Sequence, residues 1–121
     1  MKIKIFFGHH EIEANLQSTP TAKAVYSALP LDGAAIRWGD EIYFAIPVSL
    51  KAEKDSTADV EEGDMAYWPE GRSFCIFFGK TPASTENQIR AASKVNIFGK
   101  IKDTSKFNEI KDGDLIIVER A

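Results

Sequence analysis

Few side chains in this sequence are suited to catalysis, and their spacing limits what they can do. His9-His10 is the only histidine pair. Adjacent residues of a strand point to opposite faces, so the two rings cannot share a metal ion, and they read as turn residues. Cys75 lies between Phe74 and Ile76 in an apolar run, the setting of a buried, inert thiol, and no histidine is paired with it. The glycines at 33, 39, 63, 71, 79, 99 and 113 are scattered beside turns and strand ends, so none forms a phosphate-cradling loop. No Ser-His-Asp grouping has a defensible spacing. The sequence therefore predicts neither a metal nor a cofactor, and little nucleophilic or acid–base catalysis.

What stands out instead is a density of rings and polar groups in the middle of the chain. It runs through Trp38-Gly39-Asp40-Glu41-Ile42-Tyr43-Phe44, Tyr67-Trp68-Pro69-Glu70-Gly71 and Phe77-Phe78-Gly79-Lys80-Thr81-Pro82. Both tryptophans fall at strand ends beside turns, where they can line the mouth of a cleft, although aromatics of a small barrel mostly fill its core. Aromatic walls with a few fixed polar groups suit an apolar ligand or a peptide. The candidate ligand-binding residues are Trp38, Glu41, Tyr43, Trp68, Phe78 and Asn96. Adjacent Phe77 and Phe78 imply that one ring points outward and needs a cover, a partner or a ligand.

Those residues must be held by elements, and the elements are legible. Ile3, Ile5 and Phe7, then Ile12, Ala14 and Leu16, alternate with polar neighbours around Gly8-His9, which predicts a hairpin pairing Ile5 with Ile12 and Lys4 with Glu13. Ser18-Thr19-Pro20 reads as a hydroxyl cap followed by proline at the first helical position. Ala22, Val25, Tyr26 and Leu29 then form one apolar stripe, and the helix from about Pro20 to Leu29 must plug or cover a sheet. Strands follow at 34–38, 41–46, 64–68, 73–78, 94–102 and 115–119, with Val95, Ile97 and Ile101 inward in the fifth of these. Between Lys51 and Asp64 stand six acids and two bases with almost nothing apolar, a solvated loop or ragged edge. Residues 79–92 read as an irregular excursion, and 104–110 as a short helical turn. About eight short strands with one or two short helices and no βαβ rhythm predict a single, mainly antiparallel β domain over residues 1–121, a barrel or a sandwich.

Composition excludes several classes of partner. With 121 residues, 44% of them hydrophobic and 27% charged, the chain can build one ordinary core. Lys+Arg 15 against Asp+Glu 18 leaves −3, which offers no electrostatic footprint for nucleic acid or an anionic membrane. No apolar run approaches the roughly 18 residues of a bilayer span, and Met1-Lys2-Ile3-Lys4 alternates like a strand, unlike a signal peptide. One cysteine permits no internal disulfide and suits a reducing cytoplasm, the expected location.

Four blocks also carry a resemblance. Trp-Gly-x-Glu-Ile-Tyr-Phe at 38–44, Tyr-Trp-Pro-x-Gly at 67–71, Phe-Phe-Gly-Lys-Thr-Pro at 77–82 and Ala-Ser-x-Val-Asn-x-x-Gly at 92–99 resemble the small cyclophilin-like family of bacteria and archaea. The resemblance spans nearly the whole chain. It implies a closed eight-stranded barrel capped by a helix and says more about fold than about activity. True cyclophilins are peptidyl-prolyl isomerases, but their Phe-His-Arg, Gln-Gly-Gly-Asp and Ser-Gln-Phe-Phe blocks do not occur here. Isomerisation needs a donor to the prolyl nitrogen and an apolar seat for the ring. Among Arg37, Arg72 and Arg90, position favours Arg90 as the catalytic candidate. Two readings follow: a barrel binding a small molecule or a short, proline-containing peptide in an aromatic cleft, or an isomerase with a reduced active site. A third, in which the aromatics close a homodimer, stays open.

Overall fold

The computed structural model describes all residues from Met1 to Ala121. Its strands are β1 (Lys2–Phe7), β2 (His10–Leu16), β3 (Leu31–Ala34), β4 (Ile36–Trp38), β5 (Glu41–Ala45), β6 (Thr57–Val60), β7 (Asp64–Trp68), β8 (Ser73–Phe77), β9 (Ile89–Lys100) and β10 (Leu115–Arg120). One helix, α1 (Pro20–Ala28), and a 3-10 turn at Phe107–Glu109 complete the chain. No helix is long and apolar enough to cross a membrane.

The opening hairpin has the expected register, Ile5 opposite Ile12 and Lys4 opposite Glu13, across a turn in which Gly8 takes φ +54°. Helix α1 starts where the cap predicts: the Thr19 hydroxyl accepts the Ala22 N–H at 3.1 Å, and Pro20 occupies the first turn. Its stripe of Ala22, Val25 and Leu29 is buried in the main core, with Tyr26 half-buried at the edge beneath Arg120.

Every strand pairing is antiparallel, and the ladder runs β3-β10-β1-β2-β9-β7-β8-β5-β4, with β6 joining β9 off this path. The ladder does not close by hydrogen bonding, which corrects the expected closed barrel. Its two ends, β3 and β4, are consecutive in the chain and are joined through buried Ala35. The reason is a change of partner at that residue: β3 pairs with β10, β4 pairs with β5, and neither pairs with the other.

Two cores share one layer of sheet. Ile42, Phe44, Met65, Tyr67, Phe74 and Ile76 face the main core with Ile3, Ile5, Phe98 and Val118. The opposite face of β5, β7 and β8 carries Tyr43, Ala66, Trp68, Cys75 and Phe77, which pack against Val60, Ala91 and Val95. A sheet covered on both sides loses the polar alternation of a half-solvated one, and all five residues of β8 are buried. The excursion expected at 79–92 is shorter than its polarity suggests, because β9 begins at Ile89. Strand β9 serves both cores through a bulge: Ile97 opposes Ala66 and Gly99 opposes Met65, so Phe98 is the extra residue and turns into the main core. Ile97, expected inward with Val95 and Ile101, is only half-buried beside the second core.

Part of the acidic stretch is also more ordered than its composition implies. Its middle is β6, held against β9, and Glu53 ties its start to α1. The Glu53 carboxylate accepts the Thr21 N–H at 3.1 Å and the Thr21 hydroxyl. The Glu53 N–H donates to Asn96 Oδ1 at 2.8 Å, and Asn96 Nδ2 donates to Thr21 Oγ1 and to the Lys51 carbonyl at 3.1 and 3.0 Å.

Candidate functional site

On the second face of the β5–β8–β7 layer lies a depression of ≈ 240 Å³, lined by Trp38, Glu41, Tyr43, Trp68, Ala91, Ala92 and Val95. Trp38 ends β4 and Glu41 begins β5, opposed across the Gly39-Asp40 turn. That turn needs a left-handed residue, and Gly39 supplies it at φ +62°, where a Cβ would come 2.8 Å from the Lys80 carbonyl. The Asp40 N–H donates to the Lys80 carbonyl, and the Asp40 carbonyl accepts the Phe78 N–H, both at 2.8 Å. Arg37 closes the clamp, donating to the carbonyls of Gly39, Asn108 and Ile110 and to the Asp40 carboxylate at 2.8–3.0 Å. The block at 77–82 is thus the anchor of the turn that presents Trp38 and Glu41.

Trp68 ends β7 and forms the facing wall. Its ring meets Tyr43 edge-on at 82° with centroids 5.8 Å apart, and its Nε1–H donates to Ser93 Oγ at 2.7 Å. The turn after it carries Gly71, where a Cβ would fall 2.3 Å from Trp68 Cε3, so any side chain there would displace the ring. Pairing of β6 with β9 is irregular between Asp59–Arg90 and Thr57–Val95. Within that irregular stretch, Ala91 and Ala92 provide a wall of small side chains.

Glu41 is the one acid in this lining and is only 5% exposed. Burial raises its carboxyl from an ordinary 4.5 to about 7, partly offset by the nearby Cys75 thiol, whose own hydrogen bond runs to the Ser73 carbonyl at 3.8 Å. Burial, and then the neighbouring Glu41 charge, hold the Cys75 thiol well above its ordinary range, so it stays protonated. No lysine, arginine or histidine pairs with Glu41. Near neutral pH it can therefore give or take a proton, accept a ligand's hydrogen bond, or balance a ligand's positive charge.

Of the predicted residues, Trp38, Glu41, Tyr43 and Trp68 come together. Phe78 does not: it lies beyond the end of β8 in the main core, stacked near Phe107 with Arg37 above its ring. Phe77 is fully buried on the opposite face, so neither ring of the pair points to solvent. Asn96 is the centre of the Thr21–Glu53 clasp, away from the depression. Arg90 pairs with Asp59, Nε to Oδ1 3.1 Å, and is not part of the lining. Sequence reading missed Ala91, Ala92 and Val95. Small residues carry no signal until the strand that bears them is placed opposite the rings. His10 begins β2 with its Nε2 3.0 Å from Glu109, and no cluster of three or more His, Cys, Asp or Glu side chains could hold a metal ion.

Comparison with known proteins gives a consistent picture. A family model described as cyclophilin-like matches residues 1–119. The solution structure of the hypothetical protein AF2241 from Archaeoglobus fulgidus is similar at 42% identity and TM-score 0.83, over 100% of this chain and 95% of that one. A structure of McbB in complex with tryptophan shares the fold at 12% identity and TM-score 0.65, over 98% of this chain and 44% of that one. No functionally curated protein matches the sequence.

Proposed function

The chain belongs to the cyclophilin-like family, and on that footing we propose that it is a binding protein which takes a small molecule, or one side chain of a short peptide, between Trp38, Tyr43 and Trp68. The observation that carries this reading is the shape and lining of the depression. Three large rings and one desolvated acid surround ≈ 240 Å³ of space on a sheet whose other face is fully packed. An engineered apolar cavity of about 150 Å³ accepts benzene, so this one has room for a ring and a short arm. The Asp40–Lys80 hydrogen bond fixes the turn that presents Trp38, and the Trp68–Ser93 hydrogen bond fixes the Trp68 ring, so less ordering is left for binding to impose.

The alternative, a reduced isomerase, requires a donor to the prolyl nitrogen, and none of the arginines weighed for that role lines the depression. One titration separates the two readings. A proline-containing model peptide and a panel of one-ring compounds are added to the protein, and the indole resonances of Trp38 and Trp68 are followed together with cis/trans exchange of the peptide. Indole shifts without accelerated exchange are the expected outcome. Accelerated exchange lost in Arg90→Ala would restore the isomerase with that residue; exchange indifferent to Arg90→Ala would restore it without.

A further inference from the structure

The chemistry of the depression is narrower than "apolar ligand". Its acid has no cationic partner from the protein, and the walls around it are aromatic or methyl. The groups that could answer Glu41 all turn elsewhere. Arg37 from β4 is committed to Asp40 and three carbonyls, and Arg90 from β9 to Asp59. From β8 only the Cys75 thiol lies near it, neutral and donating to the Ser73 carbonyl, and on β5 itself only the Tyr43 hydroxyl is titratable nearby. β7 contributes the Trp68 ring. A ring face attracts a cation through its quadrupole, and a carboxylate does so through its charge; both repel an anion. The site is therefore complementary to a positive centre carried on an apolar body.

We propose that the ligand is a small organic cation, a one-ring amine in its ammonium form, with its N–H groups donating to Glu41 and its ring against Trp38, Tyr43 and Trp68. This rests on the reading of the depression as a binding site and specifies what it takes. Size agrees, since ≈ 240 Å³ holds a ring with a two-carbon arm. A proton is exchanged in the process. Below about pH 7 the free protein carries Glu41 as the neutral acid, and the ammonium must displace that proton to meet a carboxylate. Affinity for the cation should then weaken about tenfold for each pH unit below 7 and level off above it, while the amine remains charged.

The test uses the full chain and three probes of matched shape: 2-phenylethylammonium, 2-phenylethanol and 3-phenylpropanoate. The chain has two tryptophans and both line the site, so their indole N–H resonances report occupancy without labelling a side chain. At pH 8 the cation should bind at least about tenfold more tightly than the alcohol, and the anion more weakly than either. Glu41→Gln keeps the shape and removes the charge; it should bring the cation down to about the alcohol's affinity. A pH series from 5 to 8 on the native protein gives the same answer without any variant. If the alcohol or the anion binds as tightly as the cation, or if cation binding ignores both pH and Glu41→Gln, the cation assignment is overturned while the binding site stands. If none of the three moves either indole at tens of millimolar, the binding site itself is overturned and the assignment falls with it.

Discussion

A buried acid without a partner makes folding dependent on pH in an unusual direction, and Glu41 is such a group. Its carboxyl titrates at about 7 in the folded protein against an ordinary 4.5. Between those values the folded state holds the proton more tightly than the unfolded chain does. Stability therefore falls as pH rises through that window and stays lower above it, by about 3 kcal/mol in all. Glu41→Gln cannot ionise, so its urea midpoint should exceed that of the native protein at pH 8 and match it near pH 4. A gap that does not change with pH would mean that the carboxyl is not raised in the folded protein. Cys75 makes the complementary case. It is 1% exposed and its thiol is held above the ordinary range, so alkylation by iodoacetamide should be slow in the folded protein and rapid only in denaturant. Rapid labelling under native conditions would show that the second core opens easily. Both residues were visible in the sequence, Glu41 as a rim acid and Cys75 as an inert thiol. Their proximity was not, because it arises from the register that sets Tyr43 opposite Cys75.

At the scale of elements, α1 and the acidic stretch show how far local pattern reaches. The helix was legible in cap, proline and stripe, since all three signals act within a few residues of one another. Leu29, 4% exposed at its C-terminal end, should cost about 2–5 kcal/mol when cut to alanine, and exposed Lys23 next to nothing. Denaturant titration of the two variants checks this, and equal losses would mean that the stripe does not face the core. The stretch from Lys51 to Asp64 reads as solvated because its composition is polar, yet polarity does not forbid an edge strand or a clasp. Asn96 supplies that clasp, accepting the Glu53 N–H and donating to Thr21 and Lys51. Asn96→Ala leaves those groups without partners. We expect a loss of about 1–3 kcal/mol and faster amide exchange at Glu53, with β8 unaffected. Exchange at Glu53 that stays slow in the variant would show that β6 alone holds the segment.

For the whole molecule, the layer of β5, β7 and β8 is the shared wall of two cores, so neither core can lose its side of the sheet and leave the other intact. Tryptophan fluorescence reports the second face, and far-ultraviolet circular dichroism reports the entire ladder. Their urea transitions should coincide; an earlier fluorescence transition would mean that the second core is a separate unit. This double-sided layer also explains which parts of the site could be read in advance. Trp38, Glu41 and Trp68 were recognisable because each lies beside a turn, where chain reversal is set by neighbours in sequence, and Tyr43 because it shares the block that follows the first of these turns. Phe78 was assigned to the cleft because a strand with one wet face must send one of two adjacent rings outward. A strand covered on both faces has no such requirement, and only the arrival of β6 and β9 over the second face decides which kind of strand β8 is. The same holds for the ladder's open ends at Ala35 and for the bulge at Phe98, which depend on partners distant in the chain. The antiparallel β class, the opening hairpin and its register, the capped helix and the turns that carry the rings followed from local pattern, because capping, alternation and turn geometry are local energies. Tertiary structure alone decided which rings share a cavity, that Glu41 is desolvated without a cation, and that Arg90 and Asn96 serve other contacts, because burial and field at a side chain are set by segments that meet only on folding.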